Sequence, residues 1–87
     1  MNVETFGDRL NRNFETIKEG AALLPQDIAM DVASFTTRLY WAIVNSDIST
    51  CESFRHCDVP FWDDLTEVMQ DALGDMLQDA SEAWLYD

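Results

Sequence analysis

Five carboxylates near the C-terminus recur at intervals of four residues, and this spacing defines the chemistry that the chain offers. They are Asp63, Glu67, Asp71, Asp75 and Asp79. In an α-helix such spacing places each carboxylate about 6 Å above the last, so the five form one negative ribbon. A ribbon of this kind attracts cationic groups, but open carboxylates make poor nucleophiles and poor general acids. The sequence therefore predicts electrostatic binding rather than catalysis.

The ribbon is unfavourable for the helix that carries it. Like charges four residues apart oppose the helix by about 0.2 to 0.5 kcal/mol per pair. Asp63 and Asp64 lie near the predicted helix start, where the macrodipole favours acids, whereas Asp75, Asp79 and Glu82 face its negative end. A helix selected only for stability would carry Lys or Arg there. We interpret the ribbon as a surface for a positively charged partner.

The net charge of −12 is unevenly distributed along the 87 residues. Residues 1–46 carry six acids and four cations, whereas residues 47–87 carry eleven acids and only Arg55. A generally acidic, soluble surface would be acidic throughout. This uneven distribution of charge favours basic proteins as partners. It disfavours direct binding to nucleic acid or an anionic membrane, because binding to either requires Lys and Arg to neutralise phosphates.

Motifs for catalysis or metal binding are absent from the sequence. Cys51, His56 and Cys57 lie close together, but without the CxxC-like or HxxxH-like spacing of a zinc site. No GxSxG, HExxH, P-loop or EF-hand pattern occurs. A chain this short hides only about 60 to 65% of its unfolded surface, which disfavours a deep cleft. We expect no enzymatic activity, no cofactor and no metal.

The N-terminus lacks a basic segment followed by an apolar one, and no apolar run approaches the roughly 20 residues that span a bilayer. We expect a cytoplasmic protein with reduced thiols and no membrane contact.

Apolar residues at helical spacing predict two long helices in the first half of the chain. The first runs from about residue 3 to about residue 20 or beyond, and Gly20 and Pro25 mark its end. The second follows Pro25, has Asp27 in its first turn, and closes at Asn45 and Ser46. The two apolar stripes comprise Phe6, Leu10, Phe14, Ile17, Ala21 and Leu24, and then Ile28, Val32, Phe35, Leu39, Ala42 and Ile43.

The second half of the chain predicts one short and one long helix. Ser49 and Glu52 have the spacing of a capping box, which indicates a short helix to about His56. The final helix is predicted over about residues 59–85, with Asp58 or Val59 as its cap and Pro60 in its first turn. Its apolar side comprises Phe61, Leu65, Val68, Met69, Ala72, Leu73, Met76, Leu77, Ala80 and Trp84. Together these elements predict a single all-α domain over residues 1–87, a small bundle of three main helices plus one short helix.

The candidate site residues are the acids opposite this apolar side, with one aromatic residue. The principal set is Asp63, Asp64, Glu67, Asp71, Asp75, Asp79 and Glu82. From residue 63 to residue 79, six carboxylates would fall one per roughly 4 to 5 Å, close to the one phosphate per roughly 3.4 Å of a single DNA strand. Imitation of a duplex requires a second acidic row, for which the candidates are Asp47, Glu52 and Asp58, or Asp27 and Asp31. Trp62 lies beside the acids, where a partner's Arg can stack on its ring, whereas Trp41 and Trp84 are expected in the core.

In size, helical pattern and one-sided acid display, residues 58–87 give the chain a resemblance to small DNA-mimic inhibitors of phages and mobile elements. Anti-CRISPR and anti-restriction proteins are the best-known members of this group. The resemblance implies competitive inhibition without chemistry, in which carboxylates occupy an Arg- and Lys-lined channel of a nucleic-acid-binding protein or complex. A CRISPR effector is the foremost target under this hypothesis, and the site of action of a phage-encoded protein is the host cytoplasm.

Three alternatives remain open from the sequence. The chain is also compatible with an immunity protein or antitoxin that neutralises a basic nuclease toxin, since such proteins include small acidic helical bundles. It is compatible with a solvated acidic helix that has no partner. The broad apolar arc of the last helix is also compatible with a small dimeric scaffold, so both a monomer and a homodimer are retained.

Overall fold

In the computed structural model, which describes residues 5–55, 59 and 61–82, the chain folds into four α-helices. The helices are α1 (Phe6–Ala21), α2 (Gln26–Val44), α3 (Ile48–Arg55) and α4 (Glu67–Glu82), and a 3₁₀ turn (Trp62–Asp64) precedes α4. No strand occurs in the ranges just given. The predicted all-α bundle of three main helices and one short helix is confirmed.

Capping residues set the first residues of α1 and α2. Thr5 is the N-cap of α1, and its hydroxyl oxygen accepts the N–H of Asp8 at 3.1 Å. The helix therefore begins at Phe6, about three residues later than predicted. Pro25 is the N-cap of α2, and Asp27 occupies the first turn as predicted.

The end of α2 is a Schellman motif. The N–H of Asp47 donates to the carbonyl of Ala42 at 2.9 Å, and the N–H of Ser46 donates to that of Ile43 at 3.2 Å. This geometry requires a left-handed residue, and Ser46 supplies it with φ of 53°. The helix ends at Val44 and is closed by Asn45 and Ser46, as the sequence predicted.

The short helix α3 begins earlier than predicted because its cap is a different residue. Both the backbone N–H and the hydroxyl of Thr50 donate to the Asp47 carboxylate, at 3.2 and 2.7 Å. Asp47 therefore caps α3, and the predicted capping box of Ser49 and Glu52 is wrong. Asp47 precedes the helix immediately and reaches its first turn before Ser49 can.

The predicted start of the final helix near residue 59 is wrong. Leu65 adopts an extended conformation with ψ of 147°, which separates the 3₁₀ turn from α4. Thr66 then starts the new helix: the N–H of Met69 donates to its hydroxyl at 3.3 Å and that of Gln70 to its carbonyl at 2.9 Å. A Thr followed by an acid is a stronger start signal here than Pro60, which lies outside the described residues, as do residues 83–85 of the predicted C-terminal end.

One buried cluster holds the bundle together, and α4 packs against each of the other three helices. Within it, the rings of Phe54 and Phe61 stand edge-on to that of Phe35 on α2, at centroid distances of 5.0 and 5.4 Å. Most of the predicted apolar side of α4 is buried, including Met69, Leu73 and Met76. Val68 is an exception, because its side chain is 65% exposed.

Candidate protein-binding surface

Asp79 does not belong to an exposed ribbon, so this part of the sequence prediction is wrong. Its side chain is 4% exposed, and its Oδ1 lies 2.7 Å from Nη2 of Arg9 on α1. This ion pair links α1 to α4 through a hydrogen bond that Arg9 donates. One carboxylate of the regular repeat therefore joins two helices instead of lying on the surface.

The drift of the helix explains why Asp79 turns inward. Each step of four residues rotates a side chain by about 40°, so Asp79 lies about 120° around the axis from Glu67. That angle brings it beside Ala72, which is buried, at the edge where α1 covers α4. A fixed interval of four thus keeps successive carboxylates exposed for about two steps and then directs the next one into an interface.

Among the described residues of the C-terminal part of the chain, five carboxylates are exposed, and we refer to them as the acidic face. They are Asp63, Asp64, Glu67, Asp71 and Asp75. The first two lie on the 3₁₀ turn, and the other three succeed one another over about 12 Å of α4. On α4 the spacing is therefore about 6 Å per charge, wider than the roughly 3.4 Å between phosphates of one DNA strand.

The stretch of chain that carries this face supplies no cation of its own. Residues 58–87 contain no Lys or Arg. Asp75 nevertheless has a cation nearby, because it lines a small polar depression together with Arg9, Gln78 and Asp79. Elsewhere, Lys18 pairs with Glu15 on α1 at 3.8 Å, and the guanidinium of Arg38 lies 5.5 Å from the ring centroid of Phe54.

The predicted second acidic row is divided among several elements. Asp47 caps α3, and its hydrogen bonds from the Thr50 hydroxyl and N–H lower the pKa of its carboxyl group. Glu52 is exposed on α3, and Asp27 and Asp31 are exposed on α2. Asp58 and the side chain of Glu82 lie outside the described part of the structure.

Trp62 is partly buried against the core. Its carbonyl accepts a hydrogen bond of 2.9 Å from the side-chain amide of Gln70, which fastens the 3₁₀ turn to α4. The residue therefore has a structural role that sequence reasoning did not anticipate. Stacking of a partner's Arg on its ring stays a prediction.

An aromatic notch between α1 and α2 was missed by the sequence reasoning, which placed Trp41 in the core. Trp41 is 53% exposed and borders a cavity of about 220 Å³ with Asn11, Phe14, Glu15 and Tyr40. The Tyr40 hydroxyl donates to Asn11 Oδ1 at 2.6 Å, and its ring stands edge-on to both Phe14 and Trp41. A signal was present: Trp41 lies about 160° around the helix from Leu39, which is in the buried stripe.

The described residues form no metal site, and Cys51 is buried. No group of three His, Cys, Asp or Glu side chains in this part of the chain is arranged to hold a metal ion. Cys51 is buried, and this burial, with a contribution from the Asp47 charge, raises the pKa of its thiol. A thiol held neutral in this way is a poor nucleophile. No helix within the described ranges is long and apolar enough to cross a membrane.

No family model, curated protein or solved structure matches this chain.

Proposed function

We propose that this protein is an acidic inhibitor that binds a basic nucleic-acid-binding complex through its acidic face and thereby blocks DNA binding. The observation that carries the proposal is the cluster of five exposed carboxylates over residues 63–75, in a stretch of the chain that contains no Lys or Arg. The foremost target is a CRISPR effector, because such complexes hold nucleic acid in a positively charged channel.

The mechanism is competition without chemistry. Carboxylates of the acidic face pair with Lys and Arg side chains that otherwise contact phosphates, and the net charge of −12 accelerates the encounter. The α4 spacing of about 6 Å matches alternate phosphates of a strand better than consecutive ones. We therefore expect the protein to occupy part of a DNA-binding channel, at its most basic point, and to exclude the duplex by bulk as well as by charge.

The direct experiment is competition for a CRISPR effector between this protein and a fluorescent target duplex. The face variant combines Asp64→Asn, Glu67→Gln and Asp71→Asn. A control variant neutralises three exposed acids that lie outside the face and outside the candidate second row: Asp8→Asn, Glu15→Gln and Glu19→Gln. The two variants have equal net charge, so a difference between them reports the location of the charges and not their number.

We expect the wild type and the control to displace the duplex, and the face variant to require at least about tenfold more protein, a loss of about 1.4 kcal/mol. Inhibition should weaken as salt rises, because exposed charges are screened beyond about 8 to 10 Å at 0.10 to 0.15 M. Equal loss in both variants, or no displacement by the wild type, contradicts the proposal. Capture of a basic nuclease toxin from the natural host would instead support the immunity-protein alternative.

A further inference from the structure

The outward side of α2 carries an uncharged, largely apolar stripe that no helix of the described structure covers. We define the outer stripe as Met30, Ala33, Ser34, Thr37, Trp41 and Val44, all of which are exposed. These residues fall within about 100° of the helix circumference, and none of them is charged. Met30, Trp41 and Val44 are 65%, 53% and 47% exposed, which is unusual for side chains of this size.

Exposed apolar surface is concentrated around this one helix. Six large hydrophobic side chains are exposed among the described residues, and five of them lie on α2 or within four residues of its ends. The two flanking members are Leu23 and Ile48. Clustered exposure of this kind marks an interaction surface, whereas exposed side chains scattered singly do not.

Apart from Ser34, the positions of the stripe residues are symmetric about Thr37. Met30 and Val44 lie seven residues to either side of it, and Ala33 and Trp41 lie four to either side. If a second copy of α2 packs antiparallel with the two-fold axis at Thr37, each Trp41 covers the partner copy's Ala33 position and each Met30 meets a Val44 position. Large side chains then oppose small ones at the inner contact, which is what close packing of facing helices requires.

From this self-complementarity we infer that the outer stripe is a homodimer interface, with two α2 helices packed antiparallel across a two-fold axis at Thr37. A parallel arrangement would place Trp41 on Trp41 and Ala33 on Ala33, which gives a clash beside a void. A basic partner is directed to the carboxylates, whereas a second copy with net charge −12 can approach closely only at an uncharged patch.

The dimer is weak and depends on salt. The stripe extends about 21 Å along α2, and a contact of two helices over this length is smaller than the about 1,200 Å² buried in a standard interface. We therefore expect a dissociation constant in the micromolar range. Because the two copies repel each other, added salt strengthens the dimer, whereas it weakens a complex between the acidic face and a basic partner.

Sedimentation equilibrium from about 10 μM to about 1 mM protein, at about 0.05 and 0.5 M salt, measures the association directly. We expect a monomer–dimer equilibrium that shifts toward the dimer at high salt. Trp41→Ser should weaken it at least tenfold with unchanged helix content, since Trp41 is largely outside the core. A wild type that is monomeric at every concentration, or a Trp41→Ser variant that dimerises equally well, overturns the inference.

Cysteine cross-linking tests the two-fold geometry, with Cys57→Ser in every variant and Cys51 buried. Thr37→Cys should form a disulfide-linked dimer on mild oxidation, because its Cα meets its own copy at the axis. Ala33→Cys should react no faster than the control Ser49→Cys on α3. Antiparallel packing separates the two Ala33 positions by about 12 Å along the helix axis, and a disulfide requires Cα atoms within about 7 Å. Two outcomes contradict this geometry. One is cross-linking of Ala33→Cys that is faster than that of Ser49→Cys. The other is cross-linking of Thr37→Cys that is no faster than that of Ser49→Cys.

The inference and the proposed function fail independently. Trp41→Ser should retain displacement of DNA from the effector, since the substituted residue lies outside the acidic face. The face variant should lose displacement yet dimerise at least as well as the wild type, because it carries fewer repelling charges.

Discussion

Arg9 Nη2 and Asp79 Oδ1 lie 2.7 Å apart, and this ion pair joins the first turn of α1 to the C-terminal half of α4. The Asp79 side chain is 4% exposed, whereas that of Arg9 is 43% exposed. The carboxylate is thus removed from water and the guanidinium only in part. Asp79 therefore depends on Arg9 more than Arg9 depends on Asp79.

Removal of Arg9 should destabilise the protein substantially. Arg9→Met removes the cation that lies 2.7 Å from a buried carboxylate, and we expect a loss of about 2 to 3 kcal/mol in the free energy of unfolding. The double variant Arg9→Met/Asp79→Leu should recover most of this loss, because it removes both charges. Urea denaturation measures the free energy of unfolding of the wild type and both variants.

Lys18→Met is the matched control, with an expected change below about 0.5 kcal/mol because the Lys18–Glu15 pair is exposed. An Arg9→Met variant as stable as Lys18→Met would show that the ion pair does not stabilise the fold.

Gly20 and Gly74 should respond in opposite directions to the same substitution. A methyl group at Gly20 would lie 2.6 Å from Cγ of Met69, which is 1% exposed and has little room to move. We expect Gly20→Ala to destabilise by about 1 to 2 kcal/mol through overpacking. A methyl group at Gly74 meets no atom within 4 Å, so Gly74→Ala should stabilise by about 1 kcal/mol through helix propensity. Thermal unfolding compares them, and equal stabilisation by both contradicts the close packing of α1 on α4.

Ser46 occupies a conformation that Gly adopts at lower energy. Its φ of 53° is in the left-handed region, where a side chain costs about 1 to 2 kcal/mol. After the greater backbone entropy of Gly in the unfolded chain is subtracted, Ser46→Gly should stabilise by about 0.5 to 1 kcal/mol. Ser49→Gly, at an exposed position of α3, should instead destabilise by about 0.5 kcal/mol. A Ser46→Gly variant less stable than the wild type would exclude the Schellman geometry.

The cap at Asp47 should make stability depend on pH in the acid range. Hydrogen bonds from Thr50 lower the pKa of Asp47 from its ordinary value of 3.8 in the folded protein. Its contribution to stability is therefore complete above the unfolded pKa and is lost as the pH falls through the lower folded value. We expect Asp47→Asn to melt below the wild type at pH 7, and the difference in Tm to shrink as the pH falls below 3.8. A difference that stays constant to pH 2.5 or so would indicate that the carboxylate charge is irrelevant to the cap.

Helices were predictable from the sequence because the apolar spacing reports which side of each element is buried. The first residue of each helix was harder to predict. Thr66 and Asp47 compete with other capping residues nearby, and the packing of the whole chain decides which residue caps the helix. Val68 shows the same limit: it belongs to the apolar pattern of α4, yet its side chain is 65% exposed among the described residues.

The acidic face was predictable in part. The interval of four correctly placed Glu67, Asp71 and Asp75 on one exposed side. The burial of Asp79 depends on α1 and on a cation seventy residues away in sequence, and no local pattern reports such a contact. Trp41 was misplaced because aromatic residues are expected in a core, although its position on the helical wheel indicated exposure.

The claim that the acidic face opposes the stability of its own helix is tested most directly by the single substitution Asp71→Asn. Asp71 has a like charge four residues away on each side, at Glu67 and Asp75, so neutralising it removes two repulsive pairs of about 0.2 to 0.5 kcal/mol each. The measurement is the free energy of unfolding by urea at about 0.02 and 1 M salt. We predict that Asp71→Asn is more stable than the wild type by about 0.4 to 1 kcal/mol at low salt, and that the gain disappears at high salt because charges are screened within about 3 Å. A variant that is less stable than the wild type, or a gain that is independent of salt, would contradict the claim.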